Sequence, residues 1–483
     1  MTPHTRYRAA LLTAAVLILL FAAAVGAEEP QDLPGPGESL DQRIVGGVEV
    51  QPPGKYPFIV ALVFASEPDT YWGQYCAGTL IDPWWVLTAG HCVSFPAANQ
   101  PWEVDVVAGR HDLRYGTDGE RIGVTDIYLH PGYDDTTLAN DLALLRLERA
   151  TVAAAPLPLA TAAEADLFAP GDLATAIGWG ATLGNPPGTP NYPDTLREVQ
   201  VPIVSDADCA AAYGSEFIPP GQVCAGDLLD GGVDSCYGDS GGPLFVADGA
   251  GYLHVGIVST GKDCALAGFP GIYTRTATYV EWVQETMAVN PVPLCRGRTA
   301  TLVGTIKDDV LRGTIEDDVI VGRAGNDEIY GDGGADTICA GAGRDLVDAG
   351  AGADVVIGGS GGDRLHGGLG HDFLAAGPGR DRLYGGDGDD RLYGGADTDV
   401  ALGEAGDDLI YGGEGPDRLY GGEGRDALSG FGGDDRILGG PGDDELTGGE
   451  GFDFLRGGRG LDRCFGGEDV VCEVVRLAFH LPQ

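Results

Sequence analysis

Over residues 44–288 the chain alternates short apolar runs with Gly, Pro and Asp at intervals of about ten residues; FIVALVF, EVDVVAG, DLALLRL and LHVGIVS are examples. Runs of that length, closed by residues that favour turns, predict short strands in an all-β barrel or sandwich. One helix is expected at the end of this region, because TATYVEWVQETMA sets Tyr279, Trp282, Val283 and Met287 on one face. From Gly304 the pattern changes to a strict nine-residue repeat of eighteen units, such as GGDGDDRLY and GGPGDDELT. The sixth position is Asp in every unit, and the eighth is Leu, Ile or Val in all but two, where Ala401 and Cys464 stand. One inward apolar residue per unit predicts a short strand, and the glycines predict tight turns with exposed carbonyls. Two units would make one coil of a parallel β-roll, with coils stacked ~4.8 Å apart.

The extreme N-terminus adds a different pattern. Arg6 and Arg8 precede one long apolar run that ends in small residues, Val25-Gly26-Ala27. This is a secretory signal, cleaved after Ala27, rather than a membrane span. The divisions read from the chain are therefore a signal peptide at 1–27, an acidic Pro/Gly-rich leader at 28–43, a β domain at 44–288, a linker at 289–303, the repeats at 304–465 and a C-terminal cap at 466–483. Export makes the ten cysteines candidates for disulfides. The formal charge of −44 over 483 residues argues against nucleic acid or an anionic membrane surface as partner, and favours a surface that takes cations.

Three stretches carry candidate chemistry: WVLTAGHC with His91, LANDLALLRL with Asp141, and DSCYGDSGGP with Ser240. A serine hydroxyl needs a base to take its proton, an acid to orient the base, and donors for the oxyanion. The order His, Asp, Ser at wide spacing suits a triad assembled across a β fold. Together with IVGG at 44–47, GWG at 178–180 and the run YPDTLREVQVPIVSDADC, these motifs give residues 44–288 a close resemblance to the trypsin-like serine proteases.

That resemblance implies two six-stranded β-barrels with the site between them. It casts His91 as base, Asp141 as its orienting acid and Ser240 as nucleophile, with the Gly238 and Ser240 amides as oxyanion donors. It places Asp234 at the floor of the specificity pocket, with Ser259, Gly261 and Gly271 beside it, and so implies protein or peptide substrates cleaved after Arg or Lys. Cleavage at Arg43–Ile44 would free an amino group to pair with Asp239, making the leader a propeptide. The disulfides implied are Cys76–Cys92, Cys209–Cys224 and Cys236–Cys264. Two departures from the family pattern stand out. Thr260 replaces a Trp beside the pocket, and Arg110 replaces the first acidic ligand of trypsin's calcium loop, so no calcium is expected there.

The nonapeptides resemble the RTX calcium-binding repeats. The resemblance implies calcium ligation by Asp327, Asp336, Asp345, Asp354, Asp363, Asp372, Asp381, Asp390, Asp399, Asp408, Asp417, Asp426, Asp435, Asp444 and Asp453. So little apolar core cannot offset the entropy of ordering such a chain, so a cation must complete the fold, and hard carboxylate and carbonyl oxygens suit calcium. The first two units, GTIKDDVLR and GTIEDDVIV, lack the second and fourth glycines and are expected to cap the array. Cys295, Cys339, Cys464 and Cys472 bracket the repeats; of their three arrangements, Cys295–Cys339 with Cys464–Cys472 would staple both ends. The reading is an all-β secreted endopeptidase with a calcium-folded tail, needing no cofactor for its chemistry. The alternative is a calcium-dependent adhesin in which the protease-like domain only binds. A cell-surface or matrix ligand for the repeats stays open in both.

Overall fold

The computed structural model describes residues 45–182 and 192–466, and the backbone of residues 471–474. The signal peptide, the leader, Arg43, Ile44 and the side chain of Cys472 lie outside the described residues. The strands Ile59–Phe64, Gln74–Asp82, Trp85–Thr88, Ala143–Leu147, Glu120–Leu129 and Val104–Ala108 close, in that spatial order, into an antiparallel barrel. A second ring runs through Leu173–Gly178, Arg197–Val204, Gln222–Ala225, Gly271–Arg275, Tyr252–Thr260 and Pro243–Ala247, with Val48–Glu49 added at Arg197–Val204.

The run FIVALVF shows why this sequence is continuously apolar rather than alternating. Val60 and Leu62 face the interior of the first barrel. Ile59, Ala61 and Val63 face a second core that also holds Trp179 and Phe245 from the other barrel. A strand buried on both faces has no polar side to present. In that shared core Tyr56 and Phe58 meet Phe245 edge-on at centroid distances of 5.0 and 5.2 Å, a geometry worth about 0.5–1.5 kcal/mol per pair beyond area burial. The helix Thr276–Val289 leaves the second barrel and lays Tyr279 and Val283 into the first barrel's core, with Trp282 and Met287 at its margin. Its apolar face is the one expected, and it ties the barrels together.

Residues after the helix are a built element. Leu294–Cys295 and Arg298–Thr299 form a two-stranded hairpin, and Cys295 is bonded to Cys339. Around that bond Val292, Ala300, Val303, Val319 and Val321 pack with Trp84 of the first barrel. The Val303 N–H donates to the Glu148 carbonyl at 2.7 Å, Arg323 reaches Asp126 at 3.1 Å, and the Lys307 ammonium lies 3.3 Å from the Trp102 ring centroid. Asp126 also pairs with the buried Arg146. The roll is thus anchored on the first barrel by apolar packing and charge, and a disulfide ties its strand Thr337–Ala342 to the hairpin.

The repeats form two parallel ten-stranded sheets. Each strand pairs with the one 18 residues later, so that Leu365, Leu383 and Ala401 stand in one column. The column residues from Ile329 to Leu455 are almost wholly inaccessible to solvent. Ala401 fills its place with a smaller side chain and the register continues past it.

Candidate active site and aspartate ladder

His91 and Asp141 are brought together by two separate turns. His91 sits in a short 3-10 turn, Gly90–Val93, directly after the strand Trp85–Thr88. Gly90 lets the chain pass close to Leu129 and the Asp141 carboxylate, which a Cβ would approach at 2.9 and 3.3 Å. Asp141 follows Asn140, which holds a left-handed backbone at φ 52°, a conformation Asn tolerates better than most residues. The Asn140 amide donates to the Gly132 carbonyl at 2.6 Å and its oxygen accepts from the Tyr279 hydroxyl at 3.0 Å. The turn delivers an Asp141 carboxylate that is fully buried. It accepts from the His91 N–H and pairs with His91 Nδ1, both at 2.8 Å, and it accepts from the Ser259 hydroxyl at 2.6 Å. Thr274 donates to the Asp141 carbonyl at 2.8 Å. A buried carboxylate so surrounded stays an acceptor, which fixes a proton on Nδ1 and leaves Nε2 as the basic nitrogen.

Ser240 lies on the adjoining corner. Its carbonyl accepts from the Ala77 N–H at 2.8 Å and packs 3.6 Å from the sulfur of Cys92, the residue after His91. The turn that carries it depends on glycine at two points. Gly238 has φ 97° and Gly241 φ 83°, and a Cβ at Gly241 would lie 2.3 Å from the Ala77 carbonyl. Asp239 is fully buried and accepts from the Gly180 and Cys236 N–H groups at 2.7 and 2.9 Å. Burial lifts its pKa to about 6 although both bonds pull the other way.

A cavity of about 140 Å³ opens beside Ser240 and is lined by Asp234, Ser259, Gly261, Asp263 and Gly271, with the Cys236–Cys264 disulfide as one wall. Asp234 sits at its base, within 3.3 Å of the Ala265 N–H and 3.4 Å of the Tyr273 hydroxyl. Burial raises its pKa to about 7, so an arriving cation would hold it ionised. A Cβ at Gly271 would stand 2.6 Å from Asp234, closing the floor; one at Gly261 would meet only ordinary contacts. Ser259 therefore has two surroundings, pocket wall and Asp141 carboxylate, of which the sequence pointed to the first alone. At the surface, Arg110 spans its loop by donating to the Asp118 carbonyl and the Thr70 hydroxyl, at 2.9 and 3.0 Å. Its guanidinium occupies the place where the resemblance would put a calcium ligand.

All three disulfides implied for the barrels are present, as is Cys295–Cys339. Cys464 is disulfide-bonded too.

In the roll, the aspartates of each sheet's turns form a ladder. From Asp309 to Asp444 each Asp N–H donates to Oδ1 of the Asp 18 residues on, as from Asp354 to Asp372 and from Asp372 to Asp390, both at 2.8 Å. The second oxygen, Oδ2, is buried without a hydrogen-bond partner from Asp327 through Asp462. Burial first, and neighbouring carboxylates second, push Asp354 and Asp390 up to about 7. The orphaned oxygens converge with backbone carbonyls: a Cβ at Gly367 would lie 2.4 Å from Asp372 Oδ2 and 2.6 Å from the Gly385 carbonyl. Carboxylate and carbonyl oxygens with no thiolate or imidazole among them form a donor set that fits calcium. Asp462 shares the orphaned oxygen and belongs with the expected ligands; the nine-residue period alone could have identified it.

The first two units differ. Asp309 Oδ2 accepts from the Thr305 N–H at 2.6 Å and its hydroxyl at 3.0 Å. Asp318 Oδ2 accepts from the Thr314 N–H and hydroxyl at 2.7 and 2.9 Å. A threonine in place of the second glycine satisfies the oxygen that is orphaned elsewhere. That substitution is visible in GTIKDDVLR and GTIEDDVIV.

The family model for trypsin matches residues 44–283. That for the RTX calcium-binding nonapeptide repeat (4 copies) matches overlapping stretches between 303 and 470. A trypsin of Saccharopolyspora erythraea is 40% identical over 242 residues, covering 50% of this chain and 97% of that protein. Anionic trypsin of Bos taurus is 36% identical over 281 residues, covering 57% and 98%. Coagulation factor XII of Sus scrofa is 40% identical over 260 residues, but the match spans only 39% of its length. Two closed barrels, a His91–Asp141 pair with its carboxylate buried beside the Ser240 cavity, and these similarities agree: the chain belongs to the trypsin family of serine proteases, and its barrels are followed by RTX calcium-binding nonapeptide repeats.

Proposed function

We propose that this chain is a secreted endopeptidase, made as a zymogen, that cleaves proteins after Arg or Lys. The single observation that carries the reading is the buried Asp141 carboxylate, which holds His91 through Nδ1 beside the Ser240 pocket while Asp234 closes the pocket's base. Ser240 Oγ attacks the substrate carbonyl as His91 Nε2 takes its proton. Asp141 keeps the imidazole tautomer and stabilises the imidazolium. The amides of Gly238 and Ser240 stabilise the oxyanion. His91 then gives the proton to the leaving amine, and a water activated by His91 releases the acyl group from Ser240.

Substrate choice follows from charge. A guanidinium or ammonium entering the cavity pairs with Asp234, which is otherwise a buried acid with few donors. Activation rests on Asp239: its buried carboxylate is suited to the amino group freed by cleavage at Arg43–Ile44. Because Arg43 itself fits the pocket, the enzyme activates its own precursor. The roll takes calcium on its aspartate ladder, which completes the tail's fold; the chemistry at Ser240 uses the chain's own groups. The direct test is hydrolysis of a fluorogenic Arg peptide by the activated full chain, with Ser240→Ala beside it. Turnover should fall on the order of 10⁴-fold or more. Equal turnover by the variant would refute the reading.

A further inference from the structure

One face of the roll stacks positive charge in register. From Asp363 to Asp435 on this sheet the residue after each ladder aspartate stands on the outer face, and parallel pairing sets Arg364 beside Arg382 and Arg418 beside Arg436, with Val400 between the two pairs. All four arginines are exposed. Neighbouring rungs are ~4.8 Å apart, and like charges directly opposed on a sheet cost stability. Among the described residues none of the four is in a salt bridge of the roll such as Arg312–Asp332 or Arg425–Asp407. Arg364 Nε donates to the His366 ring at 3.2 Å instead, and the acids Asp348 and Glu404 act on that imidazole. The repeat does not impose the stripe either. On the other sheet the corresponding run of Phe373, Arg391, Leu409 and Ala427 holds a single arginine.

Flat rings flank the charges. His366 lies parallel to Tyr384, with centroids 4.3 Å apart and planes 7° from coplanar. The Arg364 guanidinium stands 5.5 Å from the Tyr384 centroid, and Tyr420 holds the corresponding outward place beside Arg418. The ladder acids meanwhile are buried beneath this surface, and calcium on them offsets their charge there.

We propose that this face binds a linear acidic polysaccharide. Guanidinium forks grip carboxylate or sulfate groups in pairs, and the half-buried rings of Tyr384 and Tyr420 offer flat apolar edges to sugar rings between those groups. A rigid row repeating at rung spacing favours an extended polymer over an isolated anion. Disulfides in the barrels and in the roll's first coils indicate an oxidising, extracellular setting, where the polyanions at hand are glycans. This binding is independent of the catalytic pocket.

The test uses the full chain carrying Ser240→Ala, to exclude self-cleavage, loaded with calcium. Heparin and hyaluronan are titrated at several salt concentrations, with single-stranded poly(dT) as comparator. Saturable binding to at least one glycan, weakening as salt rises, is expected. The variant R364Q/R382Q/R418Q/R436Q should bind about tenfold more weakly or worse, while R391Q, on the opposite face, should bind as the parent does. Circular dichroism with calcium checks that each variant folds; should the fourfold change prevent folding, R418Q/R436Q replaces it. No saturable glycan binding, binding unchanged by the arginine substitutions, or tighter binding to poly(dT) would each overturn the proposal.

Discussion

The barrels and the roll bury carboxylates in opposite ways. In the barrels Asp141 collects three hydrogen bonds and Asp239 two, all from the chain itself. In the roll every ladder aspartate from Asp327 onward satisfies one oxygen and buries the other without a partner. An unsatisfied buried acceptor costs about 1–3 kcal/mol, and more when charged, and the ladder repeats that cost rung after rung. Asp141 and Asp239 are therefore held by protein donors alone, whereas the roll is a fold with a term missing that calcium supplies. The first coil lies between these cases: its threonines do for Asp309 and Asp318 what the ion does further along.

Removing calcium should break this contrast most severely. Metal-stripped protein is expected to lose the amide protection of the roll from the third unit onward while the barrels keep theirs, as hydrogen exchange would report. Loss of the ladder also frees its Arg–Leu bonds. In the folded roll they are locked, for the Arg364 N–H donates to the Asp345 carbonyl at 2.8 Å and Leu365 is fully buried. Active enzyme stripped of calcium should then cut its own tail after arginine, and the Ser240→Ala protein should stay whole. A tail that remains intact in both would separate the two halves functionally.

Within the barrels, Asp234→Ser should remove the preference for Arg over an apolar residue by on the order of 10³-fold, because the pocket would no longer offer a buried partner to a cation. Peptide-library profiling measures this; an unchanged profile would place specificity elsewhere.

Acid should partly substitute for calcium. Ladder carboxyls raised to about 6 or 7, Asp354 and Asp390 among them, bind protons in the folded roll at pH values where the unfolded chain, with carboxyl pKa values of about 4, has lost them. Their contribution to the metal-free roll is fully present below about pH 4 and is lost as pH rises through about 6 to 7. Metal-stripped Ser240→Ala protein should gain β-sheet signal in circular dichroism between pH 7.5 and 5. With calcium the sign reverses, because protons compete for the same oxygens. The smallest expected effect is at the cap. Thr314→Val removes one donor to Asp318 and should cost about 1–3 kcal/mol, seen as earlier exchange of the first coil, while leaving the amount of bound calcium unchanged.

Much of this was legible along the chain. The nine-residue period defined the roll, its columns and its aspartates, because a solenoid repeats the same local geometry and each residue's environment depends only on its place in the unit. The stretches around His91, Asp141 and Ser240 were equally plain, since tight turns demand particular residues, as Gly238 and Gly241 illustrate. The dual position of Ser259, against both pocket and Asp141, was not legible, nor was the anchoring of Asn140 by Tyr279. Those contacts join residues 118 and 139 positions apart, and nothing in a local pattern encodes which distant side chains will meet.

The same division holds for the whole molecule. Sequence alone determined the elements, the repeat, the cysteines available to pair and the residue types able to do chemistry, because these depend on neighbours within a turn or a rung. Only the tertiary structure decided which carboxylates are satisfied and which oxygens remain orphaned, that the hairpin after the helix packs with the first barrel and the roll together, and that four arginines share one face. Burial and hydrogen bonding are set by what packs around an atom, and that is fixed when distant strands close against one another.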